Sequence, residues 1–115
     1  MIWVNIRRKN EPPLIIGTYY GKQESRTTKN EIEQEIQLLN EEITEMKREG
    51  EIVIAMDGNA KIGILNEAIS RNGKLLNQLF DYHDLKVMNH SSKCIGRITR
   101  QNTKNKNEVS AIDFL

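Results

Sequence analysis

The sequence predicts an α/β fold in which helices pack against a β-sheet. Three observations support this fold class: apolar residues alternate near the start of the chain, residues 30–49 have the apolar period of a helix, and an unbroken apolar run follows them. A helix that leads directly into a buried strand is typical of α/β layers. The chain has 115 residues, which is enough for one small domain.

The first two strands are predicted to form a hairpin. Ile2, Val4 and Ile6 alternate with other residues, which is the period-2 pattern of a half-buried strand. A pair of prolines then supplies a turn, because proline fixes φ and lacks an amide donor. Residues 14–20 have the β-branched and aromatic content of a second strand, and the polar residues 21–29 are expected to be a loop.

Residues 30–49 are predicted to form a long helix. Thr28 and Glu31 stand at the spacing of a capping box, in which each side chain satisfies a backbone amide at the helix start. Apolar residues then recur three or four positions apart, at Ile32, Ile36, Leu39, Ile43 and Met46. The pattern is shorter than a coiled coil requires, so packing against a sheet is predicted. Gly50 is expected to close the helix in a left-handed conformation.

The apolar run at residues 52–56 is predicted to be a strand buried on both faces. Asp57 and Asn59 follow it directly, at the position where α/β proteins tend to place active groups. The carboxylate can orient a water or help to hold Mg²⁺, and the amide can bind a phosphoryl oxygen. An Asp-Gly-Asn turn with left-handed and Asx geometry explains the same residues without any chemistry. The sequence is compatible with both the catalytic and the turn interpretation.

The second half of the chain is predicted to contain a shorter helix over residues 73–82 and a short strand over residues 85–88. Residues 90–108 have the composition of turns, with room for one short strand. Residues 109–115 return to strand chemistry, and Asp113 lies between two apolar neighbours there. A carboxylate in a buried strand needs a cationic or histidine partner, and His83 and His90 are the two histidines available, so Asp113 is a candidate site residue.

Charge is segregated along the chain, although the formal net charge is only +1. Residues 31–51 carry eight Glu against one Lys and one Arg (2 − 8 = −6), and residues 93–107 carry five Lys or Arg and no acid (+5). A basic block of this kind binds a polyanion such as nucleic acid, or is simply a solvated loop.

Two further features of the composition exclude classes of protein. The single cysteine, Cys94, excludes an internal disulfide framework and a Cys-cluster zinc site, and it fits a reducing compartment. No apolar run approaches the roughly 18 residues that a membrane span requires, so no membrane partner is expected.

The order of these pieces resembles the endonuclease/exonuclease/phosphatase superfamily, in particular the domain upstream of reverse transcriptase in non-LTR retrotransposons. The resemblance is carried by residues 15–21 (Ile-Ile-Gly-Thr-Tyr-Tyr-Gly), 52–59 and 110–115 (Ser-Ala-Ile-Asp-Phe-Leu). It implies half of a four-layer αββα sandwich, with a mixed sheet and one long and one shorter helix on its outer face. It also implies Mg²⁺-dependent hydrolysis of phosphodiesters such as those of DNA.

The resemblance implies four catalytic residues, which follow the order of the family's motifs: Tyr20, Asp57, Asn59 and Asp113. In the family, the tyrosine belongs to the active site and the first aspartate positions or activates water. The asparagine stabilises phosphoryl oxygens, and the second aspartate supports a catalytic histidine. Thr99 and Arg100 resemble the family's substrate-side loop.

The chain also departs from the family pattern. Met56 and Gly58 stand where glycine and a large apolar residue are usual, and the family's metal-binding Glu and terminal Ser-Asp-His have no counterpart in residues 1–115. The principal ligand of the implied Mg²⁺ is therefore missing, and this partial domain is expected to be inactive alone. The alternative function is a non-catalytic remnant, which binds itself or a partner through the exposed inner face of its half-sandwich, or nucleic acid through residues 93–107.

Overall fold

A computed structural model of the chain describes residues 1–95, 100–101, 104, 109–111 and 113–115. Its main elements are β1 (Ile2–Ile6), β2 (Leu14–Tyr20), α1 (Lys29–Glu49), β3 (Glu51–Asp57) and α2 (Arg71–Tyr82). Three two-residue strands follow: β4 (Arg100–Gln101), β5 (Val109–Ser110) and β6 (Asp113–Phe114). A mixed sheet with one long and one shorter helix confirms the predicted α/β class, here in the form that is usually termed α+β.

The sheet is mixed, with the strand order β1-β2-β3-β6. β1 and β2 are antiparallel and form the predicted hairpin, whereas β2 and β3 are parallel and are joined by α1. β6 pairs antiparallel with β3 at Met56 and Asp57, and β4 and β5 form a separate pair. The carboxyl ends of β2 and β3 therefore meet at one edge of the sheet.

The core lies between one face of the sheet and the two helices. The predicted inward face of α1 is confirmed, because Ile32, Leu39 and Ile43 are buried. Sheet, loop and α2 residues complete the core: Ile15, Ile54, Met56, Ala60, Ile62, Ile64, Leu76, Leu79, Phe80 and Ala111. Burial of these side chains is the main force that holds helices and sheet together.

Trp3 covers the sheet on the helix side. Its indole Nε1 donates a hydrogen bond to Glu42 Oε2 of α1 at 3.0 Å, and its ring lies over Gly17, its register partner on β2. A β-carbon at Gly17 would lie 2.5 Å from Cζ3 of Trp3, so only glycine leaves room for the indole. On β1, the inward residue is thus the tryptophan, and the three alternating aliphatic residues face away from the helices.

The start and the end of α1 are confirmed, and only the left-handed conformation predicted for Gly50 is wrong. The Glu31 amide donates to Thr28 Oγ1 at 3.2 Å and the Thr28 amide donates to Glu31 Oε2 at 2.9 Å, which is a complete capping box. Gly50, however, has a φ of 176°, which is extended rather than left-handed. The chain passes straight into β3 here, and a β-carbon at Gly50 would overlap the main-chain oxygen of Pro13.

The burial predicted for β3 is also wrong. Ile54 and Met56 are buried against the helices, but Val53 is 39% exposed and Ala55 is exposed. In the part of the chain that the structure describes, helices cover one face of the sheet only, so alternate residues of β3 face outward.

The second predicted helix is confirmed, with Ser70 accepting from the Gly73 amide as its cap. The strand predicted over residues 85–88 is wrong. The Leu85 amide bonds to the Phe80 oxygen and the Met88 amide to the Leu115 oxygen, and a 3₁₀ turn follows over Met88–His90. These contacts use the amides that a strand would need for a ladder.

The strand predicted over residues 109–115 appears as the two short strands β5 and β6, with residue 112 outside the described residues. No helix in the described part of the chain is long and apolar enough to cross a membrane.

Candidate functional site

Three of the four predicted catalytic residues occupy one row at an edge of the sheet. Tyr20 is the last residue of β2 and pairs with Asp57, the last residue of β3, in the parallel register. Asp57 in turn lies opposite Asp113, the first residue of β6, in the antiparallel register. The topology therefore brings together residues that are separated by 37 and 56 positions in sequence (57 − 20 and 113 − 57).

Asn59, the fourth predicted residue, forms a turn with Asp57. Oδ1 of Asp57 accepts a hydrogen bond from the Asn59 amide at 3.1 Å, and Asn59 has a left-handed φ of 45°. This is the Asx geometry that the turn interpretation of the sequence predicted. The same hydrogen bond fixes the orientation of the Asp57 carboxylate at the sheet edge.

The amide side chain of Asn59 is bonded to the neighbouring loop. Its Nδ2 donates to the main-chain oxygen of Gly21 at 2.7 Å, and the Gly21 amide donates to the Asp57 oxygen at 2.6 Å. A β-carbon at Gly21 would overlap the main-chain oxygen of Gly58, so the two loops approach as closely as backbones can. Gly21 is a part of the site that the sequence analysis did not assign, and a glycine directly after a strand was its only signal.

The two tyrosines at the end of β2 lie on opposite faces, as strand alternation predicts. The Tyr19 hydroxyl donates to Glu35 Oε1 of α1 at 2.7 Å on the helix side. Burial, together with the Glu35 carboxylate, raises the pKa of Tyr19 well above its ordinary value. Tyr20 lies on the other face and is 69% exposed, so its hydroxyl is the one that a ligand at the edge can reach.

The candidate edge is open rather than enclosed. Tyr20 lines a cavity of about 450 Å³ that is also lined by Tyr19, Glu35 and Glu42, while Asp57 is not among the lining residues. Asp57 is half-buried, and it ends β3, the strand that pairs with β2. An open edge suits the backbone of a polymer better than a small molecule, because proteins usually enclose small molecules in a pocket.

The described side chains do not make a magnesium centre by themselves. Among the described residues, no group of three or more His, Cys, Asp or Glu side chains is placed to hold a metal ion. Mg²⁺ demands near-octahedral oxygen ligands, and Asp57 supplies one carboxylate here. The Mg²⁺ cofactor therefore stays a prediction.

The other predicted groups lie apart from the described edge or outside the described residues. Thr99 lies outside them, and Arg100 is described only as the first backbone position of β4, opposite Ser110. Most of the basic block at residues 93–107 also lies outside them; Lys93 and Lys104 are described and exposed.

His83, one of two histidines considered as partners for Asp113, is buried at the end of α2. Its Nε2 lies 2.6 Å from Asn40 Oδ1, which can only accept, so Nε2 carries the proton. Burial, with a smaller contribution from Lys47, lowers the pKa of His83, while a hydrogen bond to the backbone of Asn40 opposes that shift. His83 therefore joins α2 to α1, which is a structural role.

Comparisons of the chain with protein-family models, with curated proteins and with solved structures give no match.

Proposed function

We propose that the edge formed by Tyr20, Asp57 and Asn59 binds a phosphodiester, and that the chain is part of a phosphodiester-hydrolysing endonuclease domain of the retrotransposon type. The observation that carries the proposal is the register, which sets Tyr20 beside Asp57 and Asp57 opposite Asp113 at one sheet edge. A sheet edge at strand carboxyl ends is where α/β proteins place ligands.

The contacts at the edge suit different tasks. The exposed Tyr20 hydroxyl is able to donate to a phosphoryl oxygen. Oδ1 of Asp57 is held by the Asn59 amide, which assigns Oδ2 to the attacking water as a proton acceptor. Asn59 acts as a positioning residue, because its Nδ2 is bonded to the Gly21 oxygen rather than directed to a substrate.

The proposed substrate is nucleic acid. The candidate edge is open, as binding of a polymer backbone requires. The net charge of +5 on residues 93–107 favours a polyanion. The proposal places this sheet in one half of a four-layer αββα sandwich. Catalysis by this chain alone is expected to stay at background, since the family's metal-binding Glu and terminal Ser-Asp-His have no counterpart in residues 1–115.

Binding is the direct test, because it does not require a complete active site. Titration of the ¹⁵N-labelled chain with a short DNA duplex at low salt should shift the amide signals of Tyr20, Gly21, Asp57 and Gly58. Tyr20→Phe and Asp57→Asn should reduce the shifts or change their pattern. The matched controls are Tyr82→Phe and Asp81→Asn, both exposed on α2, which should leave them unchanged.

Salt dependence and hydrolysis complete the test. The affinity should fall steeply with salt if phosphates are bound. Nicking of supercoiled plasmid with Mg²⁺ should appear only in a longer version that carries the family's Glu and Ser-Asp-His. Amide shifts confined to residues away from the edge would contradict the proposed site, and a longer version as inactive as this chain would contradict the proposed activity.

A further inference from the structure

The face of the sheet opposite α1 and α2 is apolar and exposed over three strands; we call it the open face. Three rows cross it, Ile2-Thr18-Ala55, Val4-Ile16-Val53 and Ile6-Leu14-Glu51. Within these rows, Ile2 is 72% exposed, Val4 54% and Ile6 42%. Side chains of this kind rarely stay in water as a contiguous patch.

Among the described residues, charged groups lie only at the two ends of the open face. At one end Arg8 binds Glu51 at 2.7 Å and Glu11 at 3.3 Å, and at the other end β2 and β3 finish at Tyr20 and Asp57. The two rows between these ends contain no formal charge. An apolar centre with a polar rim is the usual composition of a protein interface.

We infer that the open face binds a second copy of this chain, face to face, about a two-fold axis. A centre without charge is complementary to itself, since no like charges meet when two copies pack, whereas it offers nothing that selects a charged partner. Two twisted sheets with β-branched side chains pack naturally at a spacing of about 10 Å. The pair then has four layers in the order helix, sheet, sheet, helix.

The size of the open face sets the expected affinity of the dimer. Three strands of up to seven residues, about 4.8 Å apart and with about 3.3 Å per residue, cover roughly 330 Å² of flat area, before the relief of the side chains is added. A standard interface buries about 800 Å² per partner, so the dimer belongs with the weak, transient interfaces that bury less than about 1,200 Å² in total. We expect a monomer–dimer equilibrium in the micromolar range rather than a permanent dimer.

This inference goes beyond the proposed function and concerns the 115-residue chain by itself; in a longer version that supplies the other sheet of the sandwich, that sheet would cover the open face instead. Phosphodiester binding needs the sheet edge, whereas self-association needs the rows Ile2-Thr18-Ala55 and Val4-Ile16-Val53. The two proposals therefore fail separately. A dimer that ignores DNA contradicts the first, and a monomer that binds DNA contradicts the second.

Sedimentation equilibrium of the full chain tests the oligomeric state. The expected result is a mass that rises from monomer to dimer across the micromolar range. Ile2→Lys and Val4→Lys should each weaken the dimer by tenfold or more, because both place an ammonium in the apolar centre. The matched control is Ile95→Lys, the same change at a residue that is 95% exposed and outside the sheet.

Each outcome decides the inference. A monomer at every concentration overturns it and leaves the open face to a different chain. A dimer that survives Val4→Lys, or one that Ile95→Lys disrupts equally, places the interface elsewhere and also overturns it. Far-ultraviolet circular dichroism identifies any variant that fails to fold, and both face positions are more than half exposed, so folding should persist.

Cross-linking tests the face directly without removing apolar contacts by charge. Ile16 is in the central row, so in a two-fold dimer it lies near its own copy. Ile16→Cys in a Cys94→Ser background should be captured as a dimer by a bismaleimide that spans about 10 Å, because sheets at that spacing hold the two Cα atoms too far apart for a direct disulfide. Ile95→Cys in the same background should not, and equal cross-linking at both positions would overturn the inference.

Discussion

The side-chain amide of Asn59 donates a hydrogen bond to the main-chain oxygen of Gly21 at 2.7 Å and so joins the loops that follow β2 and β3. The same residue holds the Asp57 carboxylate through its backbone amide. One asparagine thus fixes the positions of both strand ends at the candidate edge. Asn59 also has a left-handed φ of 45°, so its backbone conformation contributes to the turn as well.

Substitutions at Asn59 separate the contribution of its side-chain hydrogen bond from the contribution of its left-handed backbone. Asn59→Gly should lower the free energy of unfolding by about 1–2 kcal/mol, because it removes the hydrogen bond but accepts the left-handed φ. Asn59→Ala should cost about 1 kcal/mol more, since a β-carbon is disfavoured at this φ. Urea denaturation measures both. Equal costs for the two variants would show that the backbone conformation contributes nothing.

Gly17→Ala should displace the tryptophan. The added β-carbon would lie 2.5 Å from Cζ3 of Trp3, and such overpacking typically costs about 1–3 kcal/mol. Trp3 is the only tryptophan, so its fluorescence reports the change directly. The emission should shift to longer wavelength and the urea midpoint should fall. In a Trp3→Leu background the same Gly17 substitution should cost clearly less, and an equal cost would contradict the contact.

Tyr19→Phe should make stability less sensitive to alkaline pH. Burial and the Glu35 carboxylate raise the pKa of Tyr19 above its ordinary 10.0. A raised pKa in the folded state adds stability that is complete below pH 10 and is lost as pH rises above it. The variant should be about 1–2 kcal/mol less stable near neutral pH, because a hydrogen bond to a carboxylate is lost.

The difference between the native chain and this variant should then shrink above pH 10, by at most about 1.4 kcal/mol per pH unit. Urea denaturation across this pH range measures it. Tyr20→Phe is the control, since Tyr20 is exposed and its change should stay within about 0.5 kcal/mol. A pH-independent difference for Tyr19→Phe would show that its pKa is not raised in the folded chain.

His83 should destabilise the fold when it is protonated. Burial lowers its pKa below the ordinary 6.5, so the stability that it contributes is present above pH 6.5 and is lost as pH falls below that value. His83→Gln should remove this part of the acid sensitivity in urea denaturation.

Asn40→Asp should reverse the effect, because a carboxylate 2.6 Å from Nε2 would favour the protonated ring. An NMR titration of the imidazole signals measures the pKa in both chains. His90→Gln assigns the signals, since the chain has two histidines. A His83 pKa that Asn40→Asp leaves unchanged would contradict the contact.

Local patterns in the sequence predicted the elements well. The alternation in β1, the capping box at Thr28 and the apolar period of α1 each depend on a few neighbouring residues, and all three are confirmed. The predictions that failed concern the ends and surroundings of elements. Gly50 is extended because it passes Pro13 closely, and residues 85–88 bond to α2 and to Leu115 instead of forming a strand.

The candidate site was predictable as residue types but not as an arrangement. Asp57 and Asn59 are adjacent in sequence, so their turn could be read directly from the chain. Tyr20 and Asp57 are neighbours only because β2 and β3 pair in parallel. The role of Gly21 depends on its contact with Asn59, which is 38 residues away in the sequence. Contacts of that separation are set by packing, which no local pattern specifies.

The sequence by itself determined the α+β class, the two helices, the hairpin and the residue types of the candidate site, because periodicity, capping and side-chain chemistry are local properties. Only the tertiary structure decided which face of the sheet the helices cover. Trp3 and the glycine opposite it turn one face of β1 toward α1, and this leaves Ile2, Val4 and Ile6 exposed on the other. An alternating strand has two faces, and the sequence pattern cannot tell which one will find a partner.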